Sequence, residues 1–321
     1  MAGALVVGGA GFIGMHLLED LRRRGLGPVV SLDITGSRRA VDGVRYAHAD
    51  VRRPLDLDLD LDGVDVVYNL AGLVTTPGHP AADYYETAIA GALSVCRLAT
   101  EHRINRILFT STMSVYPTGE ELKDESFPPA PVNAYGASKL LAEQVHEQWL
   151  DADPDRSLVI ARPAVVFGPG ERGNFLRLWN LMRRGAFVYP GRRDTIKACG
   201  YVTDLVDSFH FALSLAERRV LYNFAYEERL TIEDICRMVS WELGRPEPRR
   251  TFPLGVARAA AAPFEALEQV GLRTGINRAR IDKLVESTNI HPEFLVKRGF
   301  RFNTTPPEGI ARWAHSLRPG S

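Results

Sequence analysis

Short apolar runs alternate with longer amphipathic segments through the first half of the chain. The runs that predict buried β-strands are residues 4–7, 29–32, 64–69, 106–110 and 157–161. An amphipathic helix is predicted after the first run, ending at Gly25. Strands that alternate with helices in this way predict an α/β fold, with a doubly wound parallel sheet and right-handed crossovers.

A strict alternation of leucine and aspartate, LDLDLDLD, occupies residues 55–62. Such a pattern is compatible with a half-buried strand or with a cation site. We predict neither, and we expect the leucines to anchor a crossover connection while the aspartates face water. A metal site would need further ligands that converge from elsewhere in the chain.

From residue 171 the chain becomes richer in arginine and aromatic residues and is punctuated by proline and glycine. We expect this part to face the substrate. Within it, residues 254–271 are apolar enough to suit a membrane surface or a greasy substrate. Pro263 interrupts that segment, and it lacks the basic polar face of an interfacial helix. We therefore expect it to pack inside a smaller domain.

Composition narrows the possible partners. The 321 residues suffice for a doubly wound domain and a smaller one, and 39 basic residues balance 39 acidic ones. Because the chain has no excess of positive charge, we do not expect nucleic acid as a partner. We expect a small molecule instead. The cysteines at 96, 199 and 236 lack disulfide or metal spacing. No run approaches the ~20 apolar residues of a membrane span, so we expect a cytoplasmic protein without a membrane partner.

A glycine-rich turn follows the first predicted strand, in the sequence VVGGAGFIG. Glycines at positions 8, 11 and 14 let the backbone and the following helix N-terminus approach a pyrophosphate. Strand, glycines and helix occur in the order that a dinucleotide site requires.

An acidic residue, Asp33, ends the second apolar run. A carboxylate at this position accepts hydrogen bonds from the adenosine ribose and repels a 2′-phosphate. The sequence therefore favours NAD over NADP. Arg38 and Arg39 follow closely and would offset part of that repulsion.

A phenol and an ammonium lie one helical turn apart in YGASK, at Tyr135 and Lys139. Residues i and i+4 share one face of a helix. A nearby cation stabilises a phenolate, which allows a tyrosine to act as a base. The small residues Gly136, Ala137 and Ser138 are expected to leave room for a cofactor against this pair.

With these motifs the chain resembles an extended short-chain dehydrogenase/reductase, in the nucleotide-sugar epimerase/dehydratase branch. The resemblance covers nearly the whole chain. Further motifs occur in the family's order: Asp50-Val51, Asn69-Leu70-Ala71-Gly72, LFTSTMSVY at 108–116, ARPAVVFGPG at 161–170 and YVTD at 201–204.

The resemblance implies a Rossmann-type NAD-binding domain at 1–170, to which 200–225 returns. The smaller substrate-binding domain would comprise 171–199 and 226–321. The residues that the resemblance assigns to the cofactor are Gly8, Gly11, Phe12, Ile13, Gly14, Asp33, Asp50, Val51, Leu70, Ala71, Gly72, Tyr135, Lys139 and Pro163.

The third catalytic position implied by the resemblance is Thr112, which would hydrogen-bond the reacting oxygen. Family members that dehydrate sugars carry Thr-Asp-Glu here, and the two acids transfer protons during elimination of water. This chain has Met113 and Ser114 instead. Dehydration and decarboxylation are therefore disfavoured, and reversible hydride chemistry at a carbinol is favoured.

The motifs of the family identify substrate-binding residues less clearly than cofactor-binding residues. Ala88 and Val165 replace asparagines common in the family, and Lys197 replaces an arginine that contacts diphosphate in relatives. The segments GERGNF and INRARIDKL resemble a subgroup linked to surface-polysaccharide sugar assembly. They add Asn174 and Arg280 to Thr112 and Lys197 as candidate substrate contacts.

The prediction is an NAD-dependent epimerase that acts on a nucleotide-diphospho-sugar by transient oxidation at C4. Alternatives are an NAD(P)H-dependent 4-ketoreductase of a deoxy sugar nucleotide, a 3β-hydroxysteroid-type dehydrogenase and a cofactor-bound regulatory protein without turnover. Relatives pair through two helices, which makes a homodimer through residues 93–100 and 140–149 a further expectation.

Overall fold

The computed structural model describes residues 3–37, 39–55, 59–74, 78–256 and 285–318. Its strands, in chain order, are β1 (Gly3–Val7), β2 (Val29–Asp33), β3 (Val44–His48), β4 (Val64–Asn69), β5 (Arg106–Thr110), β6 (Gly119–Lys123), β7 (Ser157–Pro163), β8 (Val165–Phe167), β9 (Tyr189–Pro190), β10 (Cys199–Tyr201), β11 (Arg219–Phe224), β12 (Thr251–Phe252) and β13 (Thr288–Ile290).

The α-helices of the same ranges are α1 (Phe12–Arg23), α2 (Ala81–Tyr85), α3 (Gly91–Glu101), α4 (Ala134–Asp151), α5 (Asn174–Arg183), α6 (Val202–Ser214), α7 (Ile232–Leu243), α8 (Glu293–Lys297) and α9 (Pro306–Ser316). A π-helix, Glu86–Ala90, joins α2 to α3. A short 3₁₀ turn, Met113–Val115, follows β5.

A seven-stranded sheet in the order β11-β7-β5-β4-β1-β2-β3 organises the molecule. Every neighbouring pair in it is parallel. The doubly wound Rossmann-type fold and all five predicted strands are confirmed. Sequence reasoning missed β3, because its residues are mostly half-exposed or exposed at the sheet edge and show no apolar run.

Apolar side chains fill both faces of the sheet. One layer packs α3 and α4 against the centre of the sheet and contains Val67, Val95 and Ile107. The other packs α1 and α6 against the opposite face and contains Leu17, Leu108 and Phe209. Because helices cover both faces, the central strands are almost entirely buried, as is usual in parallel sheets.

The leucine–aspartate segment forms no strand in its described part, which is residues 55 and 59–62. Leu55 and Leu61 are buried in the layer beneath α3, while Asp60 and Asp62 are exposed. Asp60 accepts a hydrogen bond from Arg45 at 2.9 Å. The described leucines anchor this connection and the aspartates face water, as we expected instead of a strand or a cation site.

Three small parallel pairs lie beside the main sheet: β8 with β10, β6 with β13 and β9 with β12. Around them α5, α7 and α9 enclose an aromatic core that includes Phe167, Trp179 and Trp313. Strand β11 joins the main sheet beside β7. The division into two domains at residue 170 stays a prediction. In the described ranges, no helix has the length and apolar content to cross a bilayer.

Candidate active site

The sequence motifs meet at one edge of the sheet. The glycine turn follows β1, Asp33 ends β2, the Leu70–Gly72 segment follows β4 and Thr112 follows β5. Parallel strands share one carboxyl edge, so these segments converge although they are distant in sequence. In open α/β sheets this edge is where ligands bind.

Steric limits explain the glycines of the turn. Gly8 has φ +86°, and a Cβ there would lie 2.8 Å from the Ala71 nitrogen. A Cβ on Gly14 would lie 2.4 Å from the Gly8 carbonyl oxygen. These glycines therefore allow the turn, the first helix and the segment after β4 to pack at backbone contact.

The N-terminus of α1 is left available by this packing. Gly11 is the N-cap residue, makes no side-chain capping bond, and is exposed. The first N–H groups of the helix, at Phe12 and Ile13, consequently lack an intrahelical acceptor. Together with the helix dipole, these groups provide a site for a phosphate anion.

Asp33 is held in place by its neighbours. One carboxylate oxygen accepts from the Ala10 nitrogen at 3.0 Å, and the other accepts from the Thr35 nitrogen at 2.8 Å and hydroxyl at 2.9 Å. The carboxylate is thus fixed against the glycine turn. Arg39 lies 3.5 Å from Glu19, whereas Arg38 falls outside the described residues.

Two further predicted cofactor segments flank the turn. Asp50 forms hydrogen bonds with Arg52 through both carboxylate oxygens, and Val51 packs near Gly91 at the start of α3. Pro163 ends β7 and is buried. The free helix end, the fixed carboxylate and these flanking segments fit a dinucleotide, and the residues present are suited to hold NAD.

Helix α4 places its phenol and its ammonium at this edge. The side chain of Asn133 accepts from the Gly136 nitrogen at 2.9 Å and starts the helix. The Lys139 ammonium lies 4.3 Å from the centre of the Phe109 ring. A Cβ built on Gly72 would lie 3.5 Å from that ammonium, so Lys139 reaches the segment after β4.

Thr112 and Tyr135 are brought together across the turn that follows β5. The Thr112 hydroxyl oxygen accepts from the Ser114 nitrogen at 3.1 Å, which leaves its hydrogen to donate. Thr112 also lies close enough to the Tyr135 phenol to lower the pKa of that phenol. Tyr84 of α2 packs edge-on against the Tyr135 ring, with centroids 6.1 Å apart.

Burial shifts the pKa of both groups on α4. It raises the pKa of Tyr135, and Tyr84 adds to the rise while Thr112 opposes it. Burial also lowers the pKa of Lys139 to about 7, although the charge of Glu143 works in the other direction. Both shifts favour the neutral forms, so ionisation of the phenol depends on further stabilisation of its anion.

The small size of Gly136 is required by a backbone contact. A Cβ there would lie 2.0 Å from the Ser114 carbonyl oxygen. The absent side chain of Gly136 admits the Ser114 backbone, while the room that the small residues at 136–138 leave for a cofactor stays a prediction. The contact sets the distance between α4 and the turn that carries Thr112.

Sequence reasoning missed a buried polar network beneath these residues. Glu143 and Arg162 form a two-bonded ion pair, at 2.9 and 2.6 Å. Ser111 donates to Glu143, and Arg162 donates to the Tyr116 hydroxyl at 2.8 Å. Arg162 is a lone charge inside an apolar strand, a signal that an acidic partner must be buried nearby.

A second missed contact supports the floor of the site. The His146 ring stacks on Phe109 with centroids 4.3 Å apart, and its Nε2 lies 3.2 Å from the Asn69 amide nitrogen. Burial lowers the pKa of His146 to about 4. The imidazole is therefore neutral near pH 7, which avoids a second cation beside Lys139.

Of the predicted substrate residues, Thr112 belongs to this cluster, whereas Asn174 and Lys197 lie outside it. Asn174 is exposed at the start of α5. Lys197 donates to the Glu286 carbonyl at 2.7 Å, and burial lowers the pKa of Lys197 to about 8. The adjacent Ala198 packs beside Tyr116. Arg280 falls outside the described residues, and substrate contact by these residues stays a prediction.

Comparison with known proteins yields a family match. The NAD dependent epimerase/dehydratase family matches residues 4–225. The N-acetyl-alpha-D-glucosaminyl-diphospho-ditrans,octacis-undecaprenol 4-epimerase of Escherichia coli O157:H7 is 28% identical over 315 residues, covering 96% of this chain and 93% of that protein. The UDP-glucose 4-epimerase of Vibrio cholerae is 28% identical over 309 residues, covering 92% and 93%.

Solved structures agree on the fold. The UDP-glucose 4-epimerase of Thermus thermophilus in complex with NAD superposes with a TM-score of 0.76 at 22% identity, over 99% of this chain and 100% of that one. The match to the family spans more than half of the chain and includes the glycine turn, Thr112, Tyr135 and Lys139. The chain therefore belongs to the NAD-dependent epimerase/dehydratase family of enzymes.

Proposed function

We propose that this enzyme inverts C4 of a sugar carried on a diphosphate, by transient oxidation with bound NAD. The observation that carries the proposal is the convergence of Thr112, which caps the turn after β5, with Tyr135 and Lys139 of α4 at one edge of the sheet. A site with one base, one hydroxyl donor and a dinucleotide pocket suits reversible removal of hydride from a carbinol.

In this mechanism the Tyr135 phenolate takes the proton of the C4 hydroxyl, and Thr112 donates a hydrogen bond to the same oxygen. Bound NAD supplies reversible hydride acceptance. The Lys139 ammonium stabilises the phenolate, which offsets the effect of burial on its pKa. Rotation of the keto-sugar within the site then exposes its other face before the carbinol re-forms, and Tyr135 returns the proton.

Elimination of water has less support in this site. Met113 and Ser114 occupy the turn after Thr112, and neither side chain can act as a carboxylic acid. A reductase would consume a reduced cofactor in every turnover, and a 2′-phosphate would meet the fixed Asp33 carboxylate. Epimerisation requires neither an acid pair nor an external reductant.

The carrier of the sugar has two candidates. A nucleotide diphosphate is supported by the Vibrio cholerae relative, which is named for UDP-glucose. A prenyl diphosphate is supported by the Escherichia coli relative, which is named for an undecaprenol-linked substrate. Both carriers present the same diphosphate, for which Lys197 offers a cation.

Incubation with C4-epimeric pairs tests the proposal. UDP-glucose, UDP-N-acetylglucosamine and a short-chain prenyl-diphospho-N-acetylglucosamine would each be incubated with the NAD-loaded protein, and products separated by chromatography. We expect one pair to interconvert without added cofactor and without a net NADH signal. Product that forms only in proportion to NAD(P)H consumed would indicate a ketoreductase, and oxidation confined to steroid alcohols would indicate a dehydrogenase.

We also propose that two copies pair through α3 and α4. Leu93 on α3 and Leu141 on α4 are exposed by 57% and 39%. The two helices border an apolar groove of about 550 Å³. Light scattering of the parent and of Leu93→Glu tests this, because a buried carboxylate would shift a dimer toward monomers.

A cytoplasmic location is proposed on the thiols alone. Cys96, Cys199 and Cys236 are all buried and free, and free cysteines are usual where thiols stay reduced. Fractionation of the source cells would test it.

A further inference from the structure

The turn that carries Thr112 is attached at both ends to one buried ion pair. Ser111 begins the turn and donates to Glu143. Tyr116 ends it and accepts from Arg162 at 2.8 Å. Glu143 and Arg162 bind each other through two hydrogen bonds, so a single rigid unit holds both ends of a six-residue segment, 111–116.

The same ion pair joins the three elements that define the site. Glu143 belongs to α4, two turns after Tyr135 and one after Lys139. Arg162 belongs to β7, and the Ser111 nitrogen donates to the neighbouring Ala161 carbonyl at 2.7 Å. The unit therefore ties the helix with the base to the strand ends that position the hydroxyl donor.

The two charges of this ion pair are opposite in sign and buried. Glu143 is 3% exposed and Arg162 is 5% exposed. Burial opposes the guanidinium charge, but Glu143 keeps the pKa of Arg162 above its ordinary value. The Tyr116 hydroxyl extends the network by donating a hydrogen bond to the Asn223 side chain at 3.0 Å. A buried network whose members are satisfied holds a single geometry.

We propose that Ser111, Tyr116, Glu143 and Arg162 are positioning residues, which hold the turn that carries Thr112 against the start of α4, beside the Tyr135 phenol. The proposal rests on the proposed function only for its effect on turnover. The positions that these residues hold are a property of the protein without a substrate. The polar groups that act on the phenol are Thr112 from the turn and Tyr84 from α2, and Lys139 follows one helical turn later on α4.

We call the attachment of residues 111–116 to the Glu143–Arg162 ion pair the clamp. Two conservative variants test it, one at each end. Ser111→Ala removes the tie to Glu143, and Tyr116→Phe removes the tie to Arg162, while both leave the ion pair intact. The matched controls are Ser208→Ala and Tyr222→Phe, which break a 3.0 Å bond between the buried hydroxyls of Ser208 on α6 and Tyr222 on β11. All four lose buried hydrogen bonds, so a loss of stability alone would not separate them.

Turnover provides the first measurement. We expect Ser111→Ala and Tyr116→Phe to lower kcat by about tenfold with unchanged NAD affinity. The rising limb of kcat/KM should move to higher pH, because a misplaced Thr112 stabilises the phenolate less. The two controls should keep the kcat and the pH profile of the parent.

Titration of the phenol provides a measurement that does not need a substrate. The ultraviolet difference between each variant and its Tyr135→Phe counterpart, in the NAD-loaded protein, reports ionisation of Tyr135. We expect a higher pKa in both clamp variants and an unchanged pKa in both controls. A pKa equal to the parent in the clamp variants would overturn the proposal, whereas absent epimerase activity in the parent would overturn only the proposed function. Ser111→Cys, a weaker donor of similar size, gives the same comparison if Ser111→Ala does not fold.

Discussion

Lys139 is a buried lysine whose charged form is disfavoured by burial. The side chain is 4% exposed, and its ammonium faces the ring of Phe109 and the backbone of Gly72. Burial lowers the pKa of Lys139 to about 7. An amine in this range responds strongly to ligands, because an anionic partner restores its charge near neutral pH.

The first prediction concerns the stability cost of this lysine. Its folded pKa of about 7 lies below the unfolded value of 10.5, so the unfolded state binds more protons between those values. The cost is complete below about pH 7 and disappears as the pH rises toward 10.5. Lys139→Met should stabilise the ligand-free protein by on the order of 3 kcal/mol at about pH 6.

Urea unfolding at two pH values measures that cost. The gain from Lys139→Met should shrink markedly by about pH 9.5. Lys297→Met, at an exposed lysine paired with Glu293, serves as the control and should show no gain at the lower pH. An equal effect of Lys139→Met at both pH values would contradict the assignment of a depressed pKa.

The second prediction separates chemistry from binding at Tyr135. Tyr135→Phe keeps the ring that packs against Tyr84 and removes the hydroxyl whose pKa Thr112 lowers. Turnover should fall by about a thousandfold or more, while NAD affinity stays near that of the parent. Kinetics and cofactor titration on the same sample decide it, and near-parent activity would rule out the phenol as the base.

At the scale of elements, helix α4 carries most of the chemistry. Its buried side includes Lys139, Glu143 and His146, a polar stripe that a search for apolar periodicity does not register. The stripe faces the ends of β4, β5 and β7 through Asn69, Phe109 and Arg162. The helix is therefore held by hydrogen bonds and ring contacts as well as by apolar burial.

The third prediction tests how closely this helix approaches the Thr112 turn. A Cβ at Gly136 would lie 2.0 Å from the Ser114 carbonyl oxygen, so Gly136→Ala must push α4 away from the turn. We expect a loss of about 1–3 kcal/mol in unfolding free energy and a larger proportional loss of kcat than of NAD affinity. Gly255→Ala, which meets nothing within 4 Å, is the control; equal behaviour of the two variants would refute the steric argument.

At the scale of the whole molecule, local patterns predicted the sheet and failed to predict the polar network. Five apolar runs predict strands and the glycine turn predicts where the first helix begins. These features can be read from short stretches of sequence, because burial and backbone sterics act on neighbouring residues. Strand β3 escaped detection since it is an edge strand with half-exposed residues. The ion pair of Glu143 with Arg162 depends on side chains 19 positions apart, which only the folded arrangement brings together.

The fourth prediction concerns the cofactor's effect on overall stability. Because Asp33 is fixed by the Ala10 nitrogen and by Thr35, NAD should raise the melting temperature more than NADP at equal concentration. A ligand at 100 times its Kd adds about 2.7 kcal/mol to the native state. Asp33→Asn should reduce the difference between the two cofactors, and a clear NADP preference in the parent would show that the arginines after β2 prevail.

The most direct test of the central claim follows the hydrogen at C4. A sugar diphosphate substrate carrying deuterium at C4 would be epimerised in water with excess unlabelled NADH in solution, and the product analysed by mass spectrometry and NMR. Transient oxidation on a single bound NAD predicts that the product keeps its deuterium at C4. Loss of the deuterium to water or to the free NADH pool would contradict the account.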